Sequence, residues 1–221
     1  MPAQRPPTLV FDLDGTLLDV SARHHHVYST VVTALGAEPL ARADYWQMKR
    51  QAIGWPEILA ASGLPEADVA DFEAKFAELI ELPDSLGFDV LFTDATPVLT
   101  RLAATYRCAL VTLRSSATAL RAQLAVFALT PFFDVIETAP GGTDHAFQKA
   151  RLIRKVVPDD DPSVVVGDSE ADVHAATALG YTSIAVSSGI RDRGVLELAN
   201  PSYLVDDIGH VEDALRRAKL L

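Results

Sequence analysis

Several features are scarce in this chain of 221 residues, and each scarcity excludes a class of protein. Cysteine occurs once, at Cys108 within an apolar stretch, so the chain cannot form an internal disulfide bond. It has no run of about 18 apolar residues, which argues against a membrane span. The short, polar, proline-rich stretch 1–7 lacks the apolar core of a secretion signal. We therefore expect a protein of the reducing cytoplasm that makes no use of a membrane.

Basic residues are also in deficit. The 19 Lys and Arg residues are outnumbered by 30 Asp and Glu, which gives a formal net charge of −11. A general nucleic-acid binder needs a basic face, so this balance argues against that class. A small anionic substrate remains compatible with it, provided that a metal ion, a few basic side chains or helix N-termini supply local positive charge.

What the chain does have is apolar material, 49% of its residues, in a regular arrangement. Short apolar runs typical of buried parallel strands alternate with helical patterns, which predicts βαβ units and an α/β fold with a Rossmann-like, doubly wound parallel sheet. The expected strands are 8–12, 108–112, 134–138, 163–168, 182–186 and 203–205. The expected helices outside the interval discussed next are 95–105, 115–128, 144–157, 170–179, 191–199 and 209–220.

One interval interrupts this alternation. Between about Asp19 and Thr93 we find no convincing strand, only helical patterns broken at glycine and proline. The interval is too long for a simple connection and has the length of a small helical subdomain. We therefore predict a catalytic core formed by residues 1–18 and 95–221, with a helical subdomain at 19–94 inserted into it.

Acidic side chains gather at the carboxyl ends of the predicted strands, where open parallel sheets bind their ligands. The first strand ends in Asp12 and Asp14, and the fourth runs into Asp168 and Asp172. Lys149 lies in the helix before the fourth strand. If these acids are neighbours, they cannot all stay ionised without compensation. Mg²⁺, which prefers hard oxygen ligands, would supply that compensation.

Four segments resemble, in the expected order, the motifs of the haloacid dehalogenase superfamily of phosphohydrolases. The sequence DLDGT at 12–16 resembles the first motif, VT ending in Thr112 the second, Lys149 the third, and GDSEAD at 167–172 the fourth. The helical interval falls where this family carries its class I cap. The resemblance covers about residues 8–207 and implies a Rossmann-like core with a helical cap, similar to phosphoglycolate phosphatases.

The resemblance also implies a role for each motif residue. Asp12 would be the nucleophile that forms an aspartyl-phosphate. Asp14 would protonate the leaving oxygen and then activate water, and Lys149 would neutralise charge on the phosphate and on Asp12. Together with Asp12, Asp168 would bind Mg²⁺ directly and Asp14 through its backbone carbonyl. Asp172 would hold a metal-bound water or position Lys149. Asp14 favours phosphoryl chemistry, because dehalogenating relatives expel a halide that needs no proton.

Three residues at the second motif are candidates for binding the substrate phosphate. Thr112 would donate its hydroxyl to a phosphate oxygen. Leu113 stands where many relatives have Asn, and Arg114 together with the N-terminus of the following helix would compensate. The alternative for Arg114 is an ordinary surface position.

The sequence thus predicts a Mg²⁺-dependent phosphatase, a monomer or homodimer, acting on a small phosphorylated metabolite. One alternative is a phosphomutase of the β-phosphoglucomutase type, which would return the phosphoryl group to its substrate. Another is a non-catalytic binding or regulatory module on the same fold. Specificity is expected to lie in the cap, where Lys49 or Arg50 would meet an anionic leaving group and one histidine of 24–26 would face the cleft.

Overall fold

A computed structural model describes residues 6–139, 144–158 and 162–221, and its strands form two sheets. The strands are β1 Thr8–Phe11, β2 Leu18–Asp19, β3 Val90–Leu91, β4 Cys108–Thr112, β5 Val135–Thr138, β6 Ser163–Gly167, β7 Thr182–Val186 and β8 Tyr203–Val205. The main sheet of the described residues has the order β5-β4-β1-β6-β7-β8, and its neighbouring strands are parallel. The predicted α/β class is confirmed.

Helices cover both faces of this sheet and fill the interval between β2 and β3. The helices are α1 Ser21–Ala34, α2 Arg42–Arg50, α3 Trp55–Ala61, α4 Val69–Leu79, α5 Pro83–Leu86, α6 Ala95–Ala103, α7 Ala117–Val126, α8 His145–Val156, α9 Glu170–Leu179, α10 Arg193–Leu198 and α11 Val211–Arg217. None of the described helices combines the length and the apolar character needed to cross a membrane.

The apolar run of β1 is explained by burial on both faces. Successive residues of a strand point to opposite sides of the sheet. Leu9 and Phe11 therefore join the core that contains α6 and α11, whereas Val10 joins the core that contains α8 and α9. A strand sandwiched between two helical layers carries mainly apolar side chains, and in β1 the first charged side chain, Asp12, comes where the strand ends.

The structure corrects the prediction that no strand lies between residues 19 and 93. Strand β3 falls in this interval and pairs antiparallel with β2, with Leu18 opposite Leu91 and Asp19 opposite Val90. Two residues per strand are too few to give a recognisable alternation, so sequence patterning missed the pair. The pair ties together the two passages of chain that lead into and out of the helices between them.

We call residues 21–86, which contain α1–α5, the helical insert. It has its own aromatic core, in which Tyr28 stacks on Tyr45 at 4.3 Å between ring centroids and Trp55 lies 4.7 Å from Phe72. This core gives the insert its own packing, separate from that of the sheet.

Candidate active site

A cluster of three buried carboxylates lies at the carboxyl edge of the main sheet. Asp12 follows β1, Asp168 follows β6, and Asp172 lies in the first turn of α9. Strands β1 and β6 are paired, which brings their carboxyl ends side by side. One oxygen from each of the three carboxylates lies within 4.8 Å of the others.

The cluster packs against bare backbone at three glycines, of which Gly15 and Gly167 make the tightest approaches. A Cβ atom on Gly15, whose φ is 81°, would lie 1.9 Å from Asp168 Oδ2, and one on Gly167 would lie 2.0 Å from Asp172 Cγ. Both positions therefore exclude a side chain. Asp168 is fixed by two donors, Thr16 Oγ1 at 3.3 Å and the Ile190 backbone N–H at 2.6 Å.

Lys149 is the cation of this cluster. Its Nζ lies 2.9 Å from Asp12 Oδ1 and also forms an ion pair with Asp172 Oδ1. The second oxygen of Asp172 accepts hydrogen bonds from the Ser169 backbone N–H at 3.1 Å and from Ser169 Oγ at 2.6 Å. Asp172 thus caps the start of α9 and holds Lys149 against Asp12.

One lysine does not balance three carboxylates. Burial, opposed by the Lys149 ammonium and reinforced by Asp172, raises the pKa of Asp12 to about 7. Burial and the neighbouring Asp12 and Asp172 also raise the pKa of Asp168 well above its ordinary value. A buried set of hard oxygen donors with uncompensated negative charge fits Mg²⁺, since a divalent cation removes the repulsion.

The Asp14 side chain lies apart from this cluster, between two arginines. Its Oδ2 accepts from Arg114 Nε at 2.9 Å and pairs with Arg23 Nη2 at 2.9 Å, while its Oδ1 pairs with Arg114 Nη2. Burial alone raises the pKa of Asp14, but the guanidiniums of Arg114 and Arg23 outweigh it and hold that pKa well below its ordinary value.

Asp89 contacts the same two arginines, Arg23 and Arg114, and so links them to each other. Its Oδ1 lies 3.1 Å from Arg23 Nε, and its Oδ2 lies 3.2 Å from Arg114 Nη2 and 2.8 Å from Gln123 Nε2. Asp89 and Arg23 were not predicted from the sequence, because their pairing joins α1 to the segment before β3 and leaves no local pattern. Arg114, which we predicted to bind phosphate, directs its guanidinium to Asp14, Asp89 and Gln123.

A cavity of about 540 Å³ opens between the sheet edge and the helical insert. Its lining on the sheet side includes Asp12, Asp14, Thr112, Leu113 and Lys149. The structure therefore brings every predicted catalytic residue, and the predicted residues of the second motif, to one cavity.

The opposite wall of the cavity comes from the helical insert. Arg23, His24, Lys49 and Glu81 line it. Lys49 lies over the Trp55 ring at 4.1 Å from its centroid. Burial, with Arg191 nearby, lowers the pKa of Lys49 to about 8. Burial likewise keeps the pKa of His24 well below its ordinary value, so this histidine is neutral.

Two sets of contacts seat the insert on the sheet domain. At the end of α2, the Lys49 carbonyl accepts from Arg191 Nη1 at 2.9 Å and the Arg50 carbonyl from the Asp192 backbone N–H at 2.9 Å. Arg50 itself donates to the Ser187 carbonyl at 2.6 Å. Of the two cations predicted to meet the leaving group, Lys49 thus lines the cavity and Arg50 binds the sheet domain.

On the other side of the cavity, Glu81 reaches from the insert to the chain before α7. Its carboxylate accepts from the backbone N–H groups of Ser115 at 2.7 Å and Ser116 at 2.8 Å. The same carboxylate accepts from Ser115 Oγ at 3.0 Å. The N-terminus that was predicted to compensate for Leu113 therefore already holds an anionic side chain.

Comparison with known proteins gives a consistent picture. A family model described as haloacid dehalogenase-like hydrolase matches residues 6–180. A phosphoglycolate phosphatase from Agrobacterium fabrum is 29% identical over 221 aligned residues, covering 95% of this chain and 92% of the relative.

Solved structures share the fold over nearly the whole chain. A haloacid dehalogenase-like family hydrolase from Streptococcus pneumoniae superimposes with a TM-score of 0.76 at 21% identity, covering 95% of this chain and 98% of the other. Protein tyrosine kinase A from Mycobacterium tuberculosis gives a TM-score of 0.75 at 25% identity, covering 96% and 99%. The first of these likenesses concerns the fold alone.

Proposed function

This chain belongs to the haloacid dehalogenase-like hydrolase family and is a phosphatase, and we propose that it hydrolyses a small phosphate monoester through an aspartyl-phosphate on Asp12. One observation carries the proposal. Asp12, Lys149 and Asp168 meet at the floor of a cavity that also contains Asp14 and Thr112, and Asp172 is buried behind them, paired with Lys149. A nucleophile, a cation and an acid are thereby placed around one volume of substrate size.

Asp12 would act as the nucleophile. Its carboxylate would attack phosphorus, and the bond between phosphorus and the leaving oxygen would break. Lys149, held by Asp172, would keep Asp12 ionised and offset charge on the phosphoryl oxygens. Asp12 and Asp168 would hold Mg²⁺ directly, with the Asp14 carbonyl, and Asp172 would hold a metal-bound water or position Lys149. When bound, this ion would supply the positive charge that three carboxylates and a phosphate require.

Asp14 would move the protons of the reaction. The two arginines hold this carboxylate ionised, so it would first take up the proton of the bound phosphate monoester and give it to the leaving oxygen as the ester bond breaks. It would then take a proton from the water that attacks the aspartyl-phosphate. Thr112 would hold a phosphoryl oxygen through its hydroxyl. The helical insert would act as the cap that covers the cavity, with the core at 1–18 and 95–221 and the cap at 19–94.

The cation on the insert side favours a leaving group that carries its own negative charge. Lys49 lines the cavity, and within the described residues no carboxylate lies within ion-pairing distance of it. The sequence relative from Agrobacterium fabrum is named a phosphoglycolate phosphatase, and phosphoglycolate has such a leaving group. It is therefore the first substrate to test. A cytoplasmic location and a monomeric or homodimeric state stay predictions.

The test is a screen of phosphate monoesters that includes phosphoglycolate, with Mg²⁺ and with Mg²⁺ removed by a chelator. Wild-type protein is expected to release phosphate only with Mg²⁺. Asp12→Asn is expected to lose activity by roughly three orders of magnitude or more, since the nucleophile is gone. Undiminished hydrolysis by Asp12→Asn would refute the assignment of the nucleophile.

The phosphomutase alternative uses the same core residues, including Asp12 as the nucleophile. It differs in returning the phosphoryl group to the substrate instead of transferring it to water. It predicts isomerisation of a phosphosugar with little release of inorganic phosphate. Measuring phosphate release and sugar isomerisation in the same assay separates the two reactions. The relative from Agrobacterium fabrum is named a phosphoglycolate phosphatase, and this name favours the hydrolase.

A further inference from the structure

The Asp14 carboxylate is held by more donors than a simple acid–base residue requires. Arg114 already binds it with two nitrogens, and Arg23 adds a third contact at Oδ2. With 26% of its side chain exposed, Asp14 still faces the cavity, whereas only 2% of the Arg23 side chain is exposed. The solvent-facing edge of Asp14 is therefore the part left to meet a substrate.

Arg23 is itself braced from behind by Asp89. Its Nε lies 3.1 Å from Asp89 Oδ1 in an ion pair that lacks the geometry of a hydrogen bond, and the Asp89 side chain is completely buried. Asp89 is fixed in turn by Gln123, which donates to it at 2.8 Å and to the Leu86 carbonyl at 3.1 Å. The planar guanidinium thus spans two carboxylates with two of its nitrogens, a geometry that a lysine ammonium does not reproduce.

Arg23 and Arg114 reach Asp14 from different parts of the fold. Arg114 follows β4 of the main sheet, whereas Arg23 lies in the first turns of α1 in the helical insert. Asp14 is therefore oriented from both sides of the cavity at once. Burying two arginines with two carboxylates carries a large desolvation cost, so this arrangement is a poor source of stability.

We infer that Arg23 is a positioning residue for proton transfer: braced by Asp89, it aims the Asp14 carboxylate at the leaving oxygen while the insert covers the cavity. The inference rests on the proposed phosphatase reaction. Arg23 touches neither phosphorus nor the nucleophile in this reaction. It acts through Asp14, so its loss should slow formation of the aspartyl-phosphate only for substrates whose leaving group needs a proton. Hydrolysis of the aspartyl-phosphate is common to all substrates and should slow equally for each of them.

Two substrates separate this role from a general structural one. The phenolate of p-nitrophenyl phosphate leaves readily without a proton donor, whereas the alkoxide of phosphoglycolate requires one. In single-turnover measurements of leaving-group release, Arg23→Gln is expected to lower the rate constant for phosphoglycolate about 100-fold, the scale of general acid catalysis, and that for p-nitrophenyl phosphate by less than about 10-fold. Loss of this guanidinium would also raise the pKa of Asp14 and ease its protonation, so a fall in the rate constant reports lost orientation and not lost acidity. Asp14→Asn should show the same selectivity and serves as the reference.

The matched control is Arg42→Gln, another arginine of the insert, which contacts α1 through Ser21 Oγ. Its ratio of the two rate constants for leaving-group release should equal that of wild type. Arg23→Lys keeps the buried positive charge and guards against a folding failure of Arg23→Gln. Lysine cannot span Asp14 and Asp89, so the ratio should still change about 10-fold.

The outcomes are distinct. If wild type cleaves neither substrate, the proposed phosphatase function fails. If wild type is active and the ratio of the two rate constants for leaving-group release is unchanged in Arg23→Lys and in any folded Arg23→Gln, the positioning role is refuted. An effect confined to KM for phosphoglycolate also refutes it, because Arg23 would then bind the leaving group rather than orient Asp14.

Discussion

The buried carboxylates of the site outnumber its cations, and Lys149 supplies most of the positive charge that compensates them. It is 3% exposed and bridges Asp12 and Asp172. A buried ion pair that loses one partner is strongly destabilised, because the other charge stays buried without compensation. We therefore expect substitution of Lys149 to affect stability together with the activity proposed for it.

Lys149→Met is expected to abolish phosphatase activity and to lower the free energy of unfolding by about 3 kcal/mol at neutral pH. Urea unfolding and phosphate release measure the two effects. Lys155→Met changes an exposed lysine of the same helix and should stay within about 0.5 kcal/mol of wild type. Equal stability of both variants would mean that Lys149 does not balance the cluster.

The titration of Lys49 gives a second prediction about a single residue. Its lowered pKa of about 8 means that the ammonium is present below about pH 8 and lost above it. If this charge holds an anionic leaving group, KM for phosphoglycolate should rise as pH increases through about 8. KM for p-nitrophenyl phosphate, which lacks that charge, should not follow.

The control for this prediction is Lys49→Gln, whose KM for phosphoglycolate should be high at all pH values and lack the rise near pH 8. Lys75→Gln removes a lysine of α4 that pairs with Asp71 far from the cavity wall, and it should keep the wild-type profile. A pH profile in Lys49→Gln that matches wild type would remove Lys49 from the binding site.

At the scale of secondary-structure elements, the sequence predicted most of the sheet. The run CALVT was expected as a strand at 108–112 and forms β4 there, and α9 covers the expected 170–179. Both succeed for the same physical reason, since a buried strand and a capped helix leave local patterns. The pair β2–β3 is too short to leave one.

The arginine network was beyond prediction for a different reason. Arg23 pairs with Asp89, 66 residues away, and Arg114 with Asp14, 100 residues away. Charged residues are ordinarily exposed, so nothing in the local sequence marks these as buried. The four family motifs, by contrast, could be placed because each motif follows a predicted strand or lies in a predicted helix.

Glu81 provides a prediction about how the insert is held on the sheet domain. Its carboxylate satisfies the backbone N–H groups of Ser115 and Ser116 ahead of α7. Glu81→Ala should lower stability by about 1 kcal/mol, as loss of a helix cap does, which corresponds to roughly 2–4 °C in Tm for a chain of this size.

The control is Glu78→Ala, which removes an exposed acid of α4 from the same stretch of the insert. Differential scanning fluorimetry of both variants without substrate gives the comparison, and Glu78→Ala should leave Tm almost unchanged. Equal Tm values for the two variants would mean that the contact between Glu81 and the Ser115 and Ser116 N–H groups contributes nothing to stability.

For the whole molecule, which has a net charge of −11, we expect a bound cation to raise stability as well as to support catalysis. The carboxylates of Asp12, Asp168 and Asp172 repel one another in a buried cluster, and Lys149 compensates them only in part. A ligand that binds only the folded state stabilises it in proportion to its occupancy. Mg²⁺ should therefore raise the melting temperature, and the size of that rise reports how well the cluster holds the ion.

At a Mg²⁺ concentration of about 100 times Kd the expected gain is about 2.7 kcal/mol, or roughly 5–10 °C in Tm. The gain should be larger at about pH 7.5 than at about pH 5.5. The pKa of Asp12 is raised to about 7, so at the lower pH Mg²⁺ must displace a proton from this carboxylate. Thermal melts over a Mg²⁺ series at both pH values measure this.

Asp168→Asn is the variant that decides whether the cluster is the binding site. The amide fits beside Gly15 and keeps an oxygen for the Ile190 N–H, so the fold should persist. One repelling charge is gone, and the protein without Mg²⁺ should melt at or above the wild-type temperature. Its Tm should then no longer respond to Mg²⁺. A full Mg²⁺ response in Asp168→Asn would place the ion elsewhere and separate these three carboxylates from the catalytic metal.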